Sequence, residues 1–166
     1  MNTLRNIWLS EDEEHLLRSC VQDFHKASGN GGQKVNKTSS AVRLTHTPSG
    51  VTVSEAGNRS QAMNRINALK KLRIRIAMEI RNDVPQGAPG PDLARVPSLS
   101  NPAYAQFLAL LLDHLAQDAW NAGATAERFG VSTSKLIKII YRDSALWQEL
   151  NKQRISSGLA PLKGIK

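Results

Sequence analysis

The chain has 166 residues, and its 22 lysines and arginines against 14 aspartates and glutamates give a net charge of +8. This charge favours a nucleic acid or another anionic surface as the partner. A single cysteine excludes an internal disulfide bond, and no apolar run approaches the roughly 18 residues that a membrane-spanning helix needs. The N-terminal residues have no apolar signal-peptide core and are too acidic for a transit sequence, so we expect a cytoplasmic protein without a membrane partner.

The first predicted elements form an α+β unit. Ser10 and Glu13 fit a capping box, which predicts a short helix at the start of the chain. A strand is predicted for residues 20–27, and alternating apolar and polar residues predict a hairpin with strands at 41–46 and 51–54.

A longer amphipathic helix follows the hairpin. Ser60 is its predicted cap, and apolar residues recur near the 3.6-residue period as far as roughly Arg81. The predicted architecture of the first half is therefore a small antiparallel sheet with packing helices.

The residues from Asp83 to Pro102 contain five of the seven prolines, which neither a helix nor a strand accommodates in its interior. We therefore predict three parts: a first domain at 1–82, a Pro/Gly-rich linker at 83–100 and an all-α domain at 101–166.

Asn101 and Pro102 are typical of a helix start, and the helix they open is expected to end near Ala122 or Gly123. The residues after it resemble the helix-turn-helix family, with a small Ala126, a turn at Gly130 and a capping Ser132. A polar Thr125 departs mildly from that pattern. In that family the second helix contacts nucleic acid, and the same architecture also serves as a protein-binding scaffold. The candidate contact residues are Thr133, Ser134, Lys135, Lys138 and Arg142.

The segment from Ser28 to Asn36 reads Ser-Gly-Asn-Gly-Gly-Gln-Lys-Val-Asn and carries three glycines next to a side-chain amide. A nucleotide-binding P-loop requires a Gly-Lys-Ser/Thr ending that is missing, because Val35 follows Lys34. The dinucleotide-binding fingerprint requires a parallel βαβ context, which is also missing. The remaining interpretation is a polar loop that approaches an anion.

This loop and its neighbours resemble the catalytic domain of class I peptide chain release factors. The Gly-Gly-Gln signature stands at 31–33, and the similarity continues through 35–38, 40–46, 48–50 and the Arg-Ser-Gln at 59–61. It covers roughly residues 20–81, and the extended run makes it much more specific than an isolated Gly-Gly-Gln.

The resemblance implies hydrolysis of the ester that joins the nascent peptide to tRNA in the ribosomal peptidyl transferase centre. By similarity, the catalytic residues are Gly31, Gly32 and Gln33, with the backbone N–H of Gln33 donating to the developing oxyanion. The Gln33 side chain would help to place water, and in the family its amide is often methylated by a dedicated methyltransferase. No nucleophilic side chain, metal or other cofactor is implied.

The positive charge is concentrated around this loop. Between Lys26 and Arg75 ten lysines and arginines stand against one acid, Glu55, a net charge of +9 that leaves −1 for the rest of the chain. A solvated helix face is the plain alternative, but so one-sided a block favours phosphate contacts with tRNA and ribosomal RNA. The candidate RNA-binding residues are Lys26, Ser28, Gly29, Lys34, Asn36, Lys37, Arg43, Arg59, Ser60, Arg65, Lys70 and Lys71. His25 and His46 are expected to be RNA-facing or structural.

Complete release factors also carry a domain that reads the stop codon, and nothing in this chain resembles it. The expected function is therefore codon-independent peptide release that rescues stalled ribosomes, by a protein that is monomeric off the ribosome. The short rescue factors characteristically end in a strongly basic tail, which the last residues here do not resemble. Two alternatives remain open: a non-catalytic RNA- or ribosome-binding module, and a DNA-binding regulator led by the helix-turn-helix.

Overall fold

A computed structural model describes residues 4–25 and 40–164, which form seven helices and one three-stranded antiparallel sheet. The α+β class expected from the sequence is confirmed. The chain divides into two compact units, Met1–Ile76 and Ala77–Lys166, named here the sheet unit and the helical unit. Within the described residues, no helix combines the length and the apolar character needed to cross a bilayer.

The sheet unit contains three helices and the whole sheet. Its elements are α1 (Leu4–Ser10), α2 (Glu13–Arg18), β1 (Cys20–His25), β2 (Ala41–His46), β3 (Thr52–Glu55) and α3 (Gln61–Glu79), whose last turn extends past the division between the units.

Strand β2 is central in the order β1-β2-β3, and its alternation matches the sequence prediction. Val42 and Leu44 are fully buried, whereas Arg43 between them is exposed, as a period of two requires. Helix α3 contributes Leu72 and Ile76 to the same core at 0% exposure. Two side chains also tie α3 to its neighbours, because Arg73 donates to Leu9 O at 3.2 Å and Lys71 donates to Ser54 O at 3.0 Å.

The predicted N-terminal capping box is wrong. Ser10 ends helix α1, where its hydroxyl donates to Ile7 O at 2.8 Å, and the sequence prediction contains no such helix. Asp12 caps α2 instead, because its carboxylate accepts from His15 N at 2.8 Å. An acidic cap two residues later satisfies N–H groups in the same way, and the capping-box spacing alone does not distinguish the two sites.

The helical unit contains four helices after an irregular segment. They are α4 (Tyr104–Gln117), α5 (Ala122–Arg128), α6 (Thr133–Tyr141) and α7 (Ser144–Ser156).

The irregular residues 80–103 pack along α4. Asp113 accepts from Asn82 N at 3.0 Å, Gln117 donates to Val84 O at 3.0 Å, and His114 Nε2 lies 3.2 Å from Pro89 O. A Cβ at Gly90 would lie 2.3 Å from the Phe129 ring, so this close approach requires glycine. The segment therefore lacks helix and strand, as its prolines predict, and is held by α4 through side chains.

Helix α4 ends five residues earlier than predicted. Its last residue is Gln117, and Ala119 and Trp120 both adopt positive φ, at 50° and 63°. The N–H of Trp120 donates to Leu115 O at 2.7 Å and closes the end of the helix. Sequence analysis missed this stop because left-handed backbone is normally marked by glycine or asparagine, and neither stands here.

The two short helices around a tight turn are confirmed. Ser132 caps α6 by accepting from Lys135 N at 3.2 Å, and Gly130 adopts a φ of +63° in the turn. Ala126 is 1% exposed, and the Leu136 and Ile140 side chains of α6 are fully buried. The last helix begins after Asp143 and stops before Gly158, which adopts a φ of +76°.

Candidate functional site

The predicted catalytic loop lies between two paired strands. Its residues Gly31, Gly32 and Gln33 lie outside the described residues, as do Lys26, Ser28, Gly29, Lys34, Asn36 and Lys37. The flanking strands are described, and His25, the last residue of β1, pairs with Ala41, the first residue of β2. The strand ends on either side of residues 26–40 are therefore paired with each other.

A buried amide fixes the point where this segment re-enters the sheet. Asn64, at 0% exposure, donates through Nδ2 to Ser40 O and to Asn58 O, both at 2.7 Å. Its Oδ1 accepts from Asn58 N at 2.8 Å. The side chain thus uses both polarities of its amide to join Ser40, residue 58 and helix α3, and we name it the Asn64 clamp.

The clamp is not among the features predicted from the sequence. Asn64, Ala68 and Leu72 follow a four-residue spacing on the buried stripe of α3, and the latter two are fully buried apolar residues. A polar residue on an otherwise apolar stripe is the signal that would have found it, because a buried amide requires partners.

The Arg-Ser-Gln stretch forms the turn into α3. Ser60 accepts from Met63 N at 3.3 Å through its hydroxyl and caps the helix, while Asn58 Oδ1 accepts from Ser60 N at 3.0 Å. Arg59, which the resemblance assigns to RNA binding, is exposed at this turn.

The remaining predicted RNA-binding cations fall into two groups. Arg65 and Lys70 are exposed on α3 and, with Arg59, make no ion pair or side-chain hydrogen bond with another described residue. Lys71 lies 3.8 Å from the Glu55 carboxylate, and Arg43 lies 3.8 Å from the Asp23 carboxylate on the exposed face of the sheet. The structure thus leaves the first group available to an external anion and gives the second group weak internal partners.

His46 is structural. It is fully buried, Nδ1 lies 2.7 Å from Ser49 Oγ, and its ring packs edge-on against Trp8 at a centroid distance of 5.0 Å. Burial lowers the pKa of His46, because the charged imidazolium would lose its hydration. Of the two roles expected for His46, RNA-facing or structural, the structure supports the structural one.

The only cysteine is not activated as a nucleophile. Cys20 is half-buried and its thiol donates to Leu16 O at 3.2 Å. Burial, with a smaller contribution from Glu11, raises the pKa of Cys20 to about 11, so the thiolate is scarce at neutral pH. In the described part of the chain, no group of three His, Cys, Asp or Glu side chains could hold a metal ion.

In the helical unit, the sequence-predicted contact residues lie on α6 and at its end. Thr133, Lys135, Lys138 and Arg142 are all exposed. The unusual Thr125 is fully buried, and its hydroxyl donates to Asp118 Oδ2 at 2.6 Å. The hydroxyl that departs from the helix-turn-helix pattern therefore has a hydrogen-bond partner.

Asp118 is the centre of a second polar cluster that sequence analysis missed. The same Oδ2 accepts from Arg128 at 2.7 Å, and Arg128 also donates to Gln117 Oε1 at 2.6 Å and to His114 O at 3.1 Å. These contacts join the end of α4 to α5, and we name them the Asp118 cluster.

Comparison with known proteins identifies the first part of the chain. Residues 17–88 match the RF-1 domain family. Peptide chain release factor 1 of Latilactobacillus sakei is 54% identical over 65 residues, and that of Rickettsia akari is 52% identical over 64; each match covers 39% of this chain and 18% of the relative. Peptide chain release factor 2 of Lactiplantibacillus plantarum is 56% identical over 54 residues, 32% of this chain and 14% of the relative.

The matched stretch thus spans less than a fifth of these relatives' length. The family match at residues 17–88 includes the Gly-Gly-Gln signature, the sheet, the Asn64 clamp and the basic helix α3. The resemblance seen in the sequence is confirmed: residues 17–88 form a domain of the class I peptide chain release factor family, a family of translation termination.

Proposed function

We propose that this protein hydrolyses the peptidyl-tRNA ester in the peptidyl transferase centre of the large ribosomal subunit, without reading a stop codon, and so rescues stalled ribosomes. The single observation that carries the proposal is a Gly-Gly-Gln sequence at 31–33 within a release factor domain, on a segment that joins two paired strands. The site of action is the cytoplasm, and a glutamine methyltransferase is a further proposed partner through Gln33.

The chemistry requires few catalytic side chains. Ester hydrolysis passes through a tetrahedral intermediate, and the backbone N–H of Gln33 is the proposed donor to its oxyanion. Gly31 and Gly32 allow backbone conformations that a Cβ would exclude, and the Gln33 amide places the attacking water. The lack of an activated thiol at Cys20 and the burial of His46 agree with a mechanism that uses no side-chain nucleophile.

Binding is assigned to the cations that surround the loop. Arg59, Arg65 and Lys70 are exposed and have no internal partner among the described residues, so they are free to contact phosphates of tRNA and ribosomal RNA. Codon independence is proposed because the family match ends at residue 88 and the chain continues into the helical unit.

The test is peptide release from purified stalled ribosomes, with and without a codon in the decoding site. We expect Gln33→Ala, which removes the amide that places the water, and Gly32→Ala, whose Cβ would displace the Gln33 N–H, to lower the release rate by roughly 100-fold or more, an effect typical of a misplaced or missing catalytic group. The matched control is Gln22→Ala, which removes an exposed amide of β1 in the same domain and should release at the wild-type rate.

Ribosome binding is measured in parallel. Binding by the two loop variants should stay close to that of wild type, because the basic residues are unchanged. Ribosome binding without release by the wild-type protein would contradict the catalytic proposal and support the binding-module alternative. Release that requires a stop codon would contradict the rescue role.

A further inference from the structure

Helix α6 and its C-cap residue present three cations on one face. Lys135, Lys138 and Arg142 follow the spacing i, i+3 and i+7, which places them within about 60° of one another around the helix axis. All three are exposed, whereas Leu136 and Ile140 on the opposite side of the helix are fully buried. We name Lys135, Lys138 and Arg142 the α6 basic face.

The α6 basic face differs from three other cations of the helical unit in its lack of partners. Arg128 binds Asp118, Arg154 donates to Trp120 O at 2.6 Å, and Lys152 lies 3.7 Å from Glu149. Within residues 4–25 and 40–164, the side chains of the α6 basic face make no ion pair or hydrogen bond. Helix α6 also contains no acidic residue, and the first acid after it is Asp143, which follows Arg142.

The contacts that hold α6 in place do not involve the α6 basic face. Ser132 caps the N-terminus of α6, Gly130 forms the turn before it, and the Asp118 cluster fixes α5 through Thr125 and Arg128. A helix that is anchored through its apolar side and carries unpaired cations on the outer side is suited to contact an anionic polymer.

We propose that the α6 basic face binds the sugar–phosphate backbone of RNA. Charge complementarity supports a phosphate partner, and RNA is preferred to DNA because the same chain carries a release factor domain. The choice of RNA therefore rests on the proposed function, whereas the phosphate-binding face rests on the geometry of α6 alone.

The contacts are to phosphates and not to base edges. The major groove of an RNA duplex is too narrow for a helix to read, so a helix meets RNA through its backbone. The three cations span about 10 Å of helix axis and act as positioning charges without sequence preference.

The test compares two double variants of the full chain that remove the same charge. Lys135→Gln with Lys138→Gln changes the α6 basic face, and Arg95→Gln with Lys152→Gln changes two other exposed cations of the helical unit. Fluorescence anisotropy with a short RNA duplex, at several salt concentrations, gives the affinity and its salt dependence. All proteins carry Gln33→Ala, so that the catalytic step does not contribute.

We expect the α6 variant to bind RNA roughly tenfold more weakly and its log–log salt slope to fall by about 1.5, the loss of two phosphate contacts. The control variant should keep the parent slope. Equal affinity and slope in the two variants would overturn the proposal. Tighter, α6-dependent binding to a DNA duplex of the same sequence would overturn the assignment to RNA and support the DNA-binding alternative.

Failure of this proposal is distinguishable from failure of the proposed function. Peptide release by the wild-type protein tests catalysis and does not depend on the duplex-binding measurement. Absence of release together with α6-dependent RNA binding would contradict the catalytic role alone. Release together with unchanged RNA binding in the α6 variant would contradict the α6 proposal alone.

Discussion

The sheet unit and the helical unit each contain one central polar side chain that joins neighbouring segments, but the two side chains differ in charge. The Asn64 clamp is a neutral, fully buried amide that donates to two carbonyls and accepts from one N–H. The Asp118 cluster centres on a carboxylate with 16% side-chain exposure that accepts from the Thr125 hydroxyl and the Arg128 guanidinium.

This difference follows from the groups that each side chain joins. An amide can join backbone groups of both polarities, which the carbonyls of Ser40 and Asn58 and the N–H of Asn58 together require. A carboxylate only accepts, so it joins donor side chains on neighbouring helices, and a cation among those donors offsets the burial of its charge. The reciprocal exchanges, Asn64→Asp and Asp118→Asn, therefore test the comparison directly.

The largest effect is expected for Asn64→Asp. The new carboxylate would face the carbonyl oxygens of Ser40 and Asn58 at a fully buried position, with a donor left for only one of its oxygens. We expect the free energy of unfolding of the sheet unit to fall by about 3–5 kcal/mol, the usual effect of an uncompensated buried charge. Hydrogen exchange of the β2 and α3 amides reads out this unit separately from the helical unit.

Asn67→Asp is the matched control for this exchange. It makes the same chemical change three residues later on α3, at a half-exposed position where the side chain makes no hydrogen bond with another described residue. The control should change the stability of the sheet unit by less than about 0.5 kcal/mol, as is usual for surface substitutions. A similar loss in both variants would show that charge on α3, and not the clamp, is responsible.

The clamp also marks the boundary of what the sequence alone could predict. Alternation identifies β2, the 3.6-residue period identifies α3, and Ser132 with Gly130 identifies the turn before α6, because each signal is local. Asn64 binds Ser40 from 24 positions away, and periodicity carries no information about such a partner. Periodicity likewise does not indicate the partners of Asp118, which are Thr125 and Arg128.

Other misses have local causes. Helix α1 and the Asp12 cap were missed because several residues near Ser10 can cap a helix, and the choice depends on how the chain packs. The end of α4 was missed because Ala119 and Trp120 adopt left-handed backbone without glycine. For the candidate site, the sequence supplied the Gly-Gly-Gln signature and the cations, but not which cations have internal partners.

A smaller effect is expected for Asp118→Asn in the helical unit. The asparagine keeps an oxygen that can accept from Thr125 or Arg128, but it loses the charge that strengthens both hydrogen bonds. We expect the free energy of unfolding of this unit to fall by about 1–2 kcal/mol, since the cluster is partly exposed. Hydrogen exchange of the α4 and α5 amides provides the measurement.

Asp83→Asn is the control, because it neutralises an exposed carboxylate of the same unit that has no side-chain partner among the described residues. A loss as large as that of Asn64→Asp would remove the distinction between the neutral and the charged centre. An unchanged free energy of unfolding would show that the negative charge of Asp118 does not contribute to stability.

The smallest effect is expected from pH, and here the two units should behave alike. Each contains one fully buried histidine, His46 in β2 and His114 in α4, and burial lowers the pKa of both. The carbonyl of Pro89 and the charges of Arg128, Asp118 and Asp113 make smaller contributions at His114. In the unfolded chain, a histidine takes up its proton near pH 6.5.

Because the folded state resists that proton, the stability contribution of each histidine is complete above the unfolded pKa and declines as the pH falls below about 6.5. Carboxylates with ordinary pKa values near 4 stay ionised over most of the range from neutral to mildly acidic pH. Hydrogen exchange measured from neutral to mildly acidic pH should therefore show both units losing stability together. His114→Gln should flatten the response of the helical unit and leave that of the sheet unit unchanged; a stability that rises on acidification in either unit would contradict the assignment.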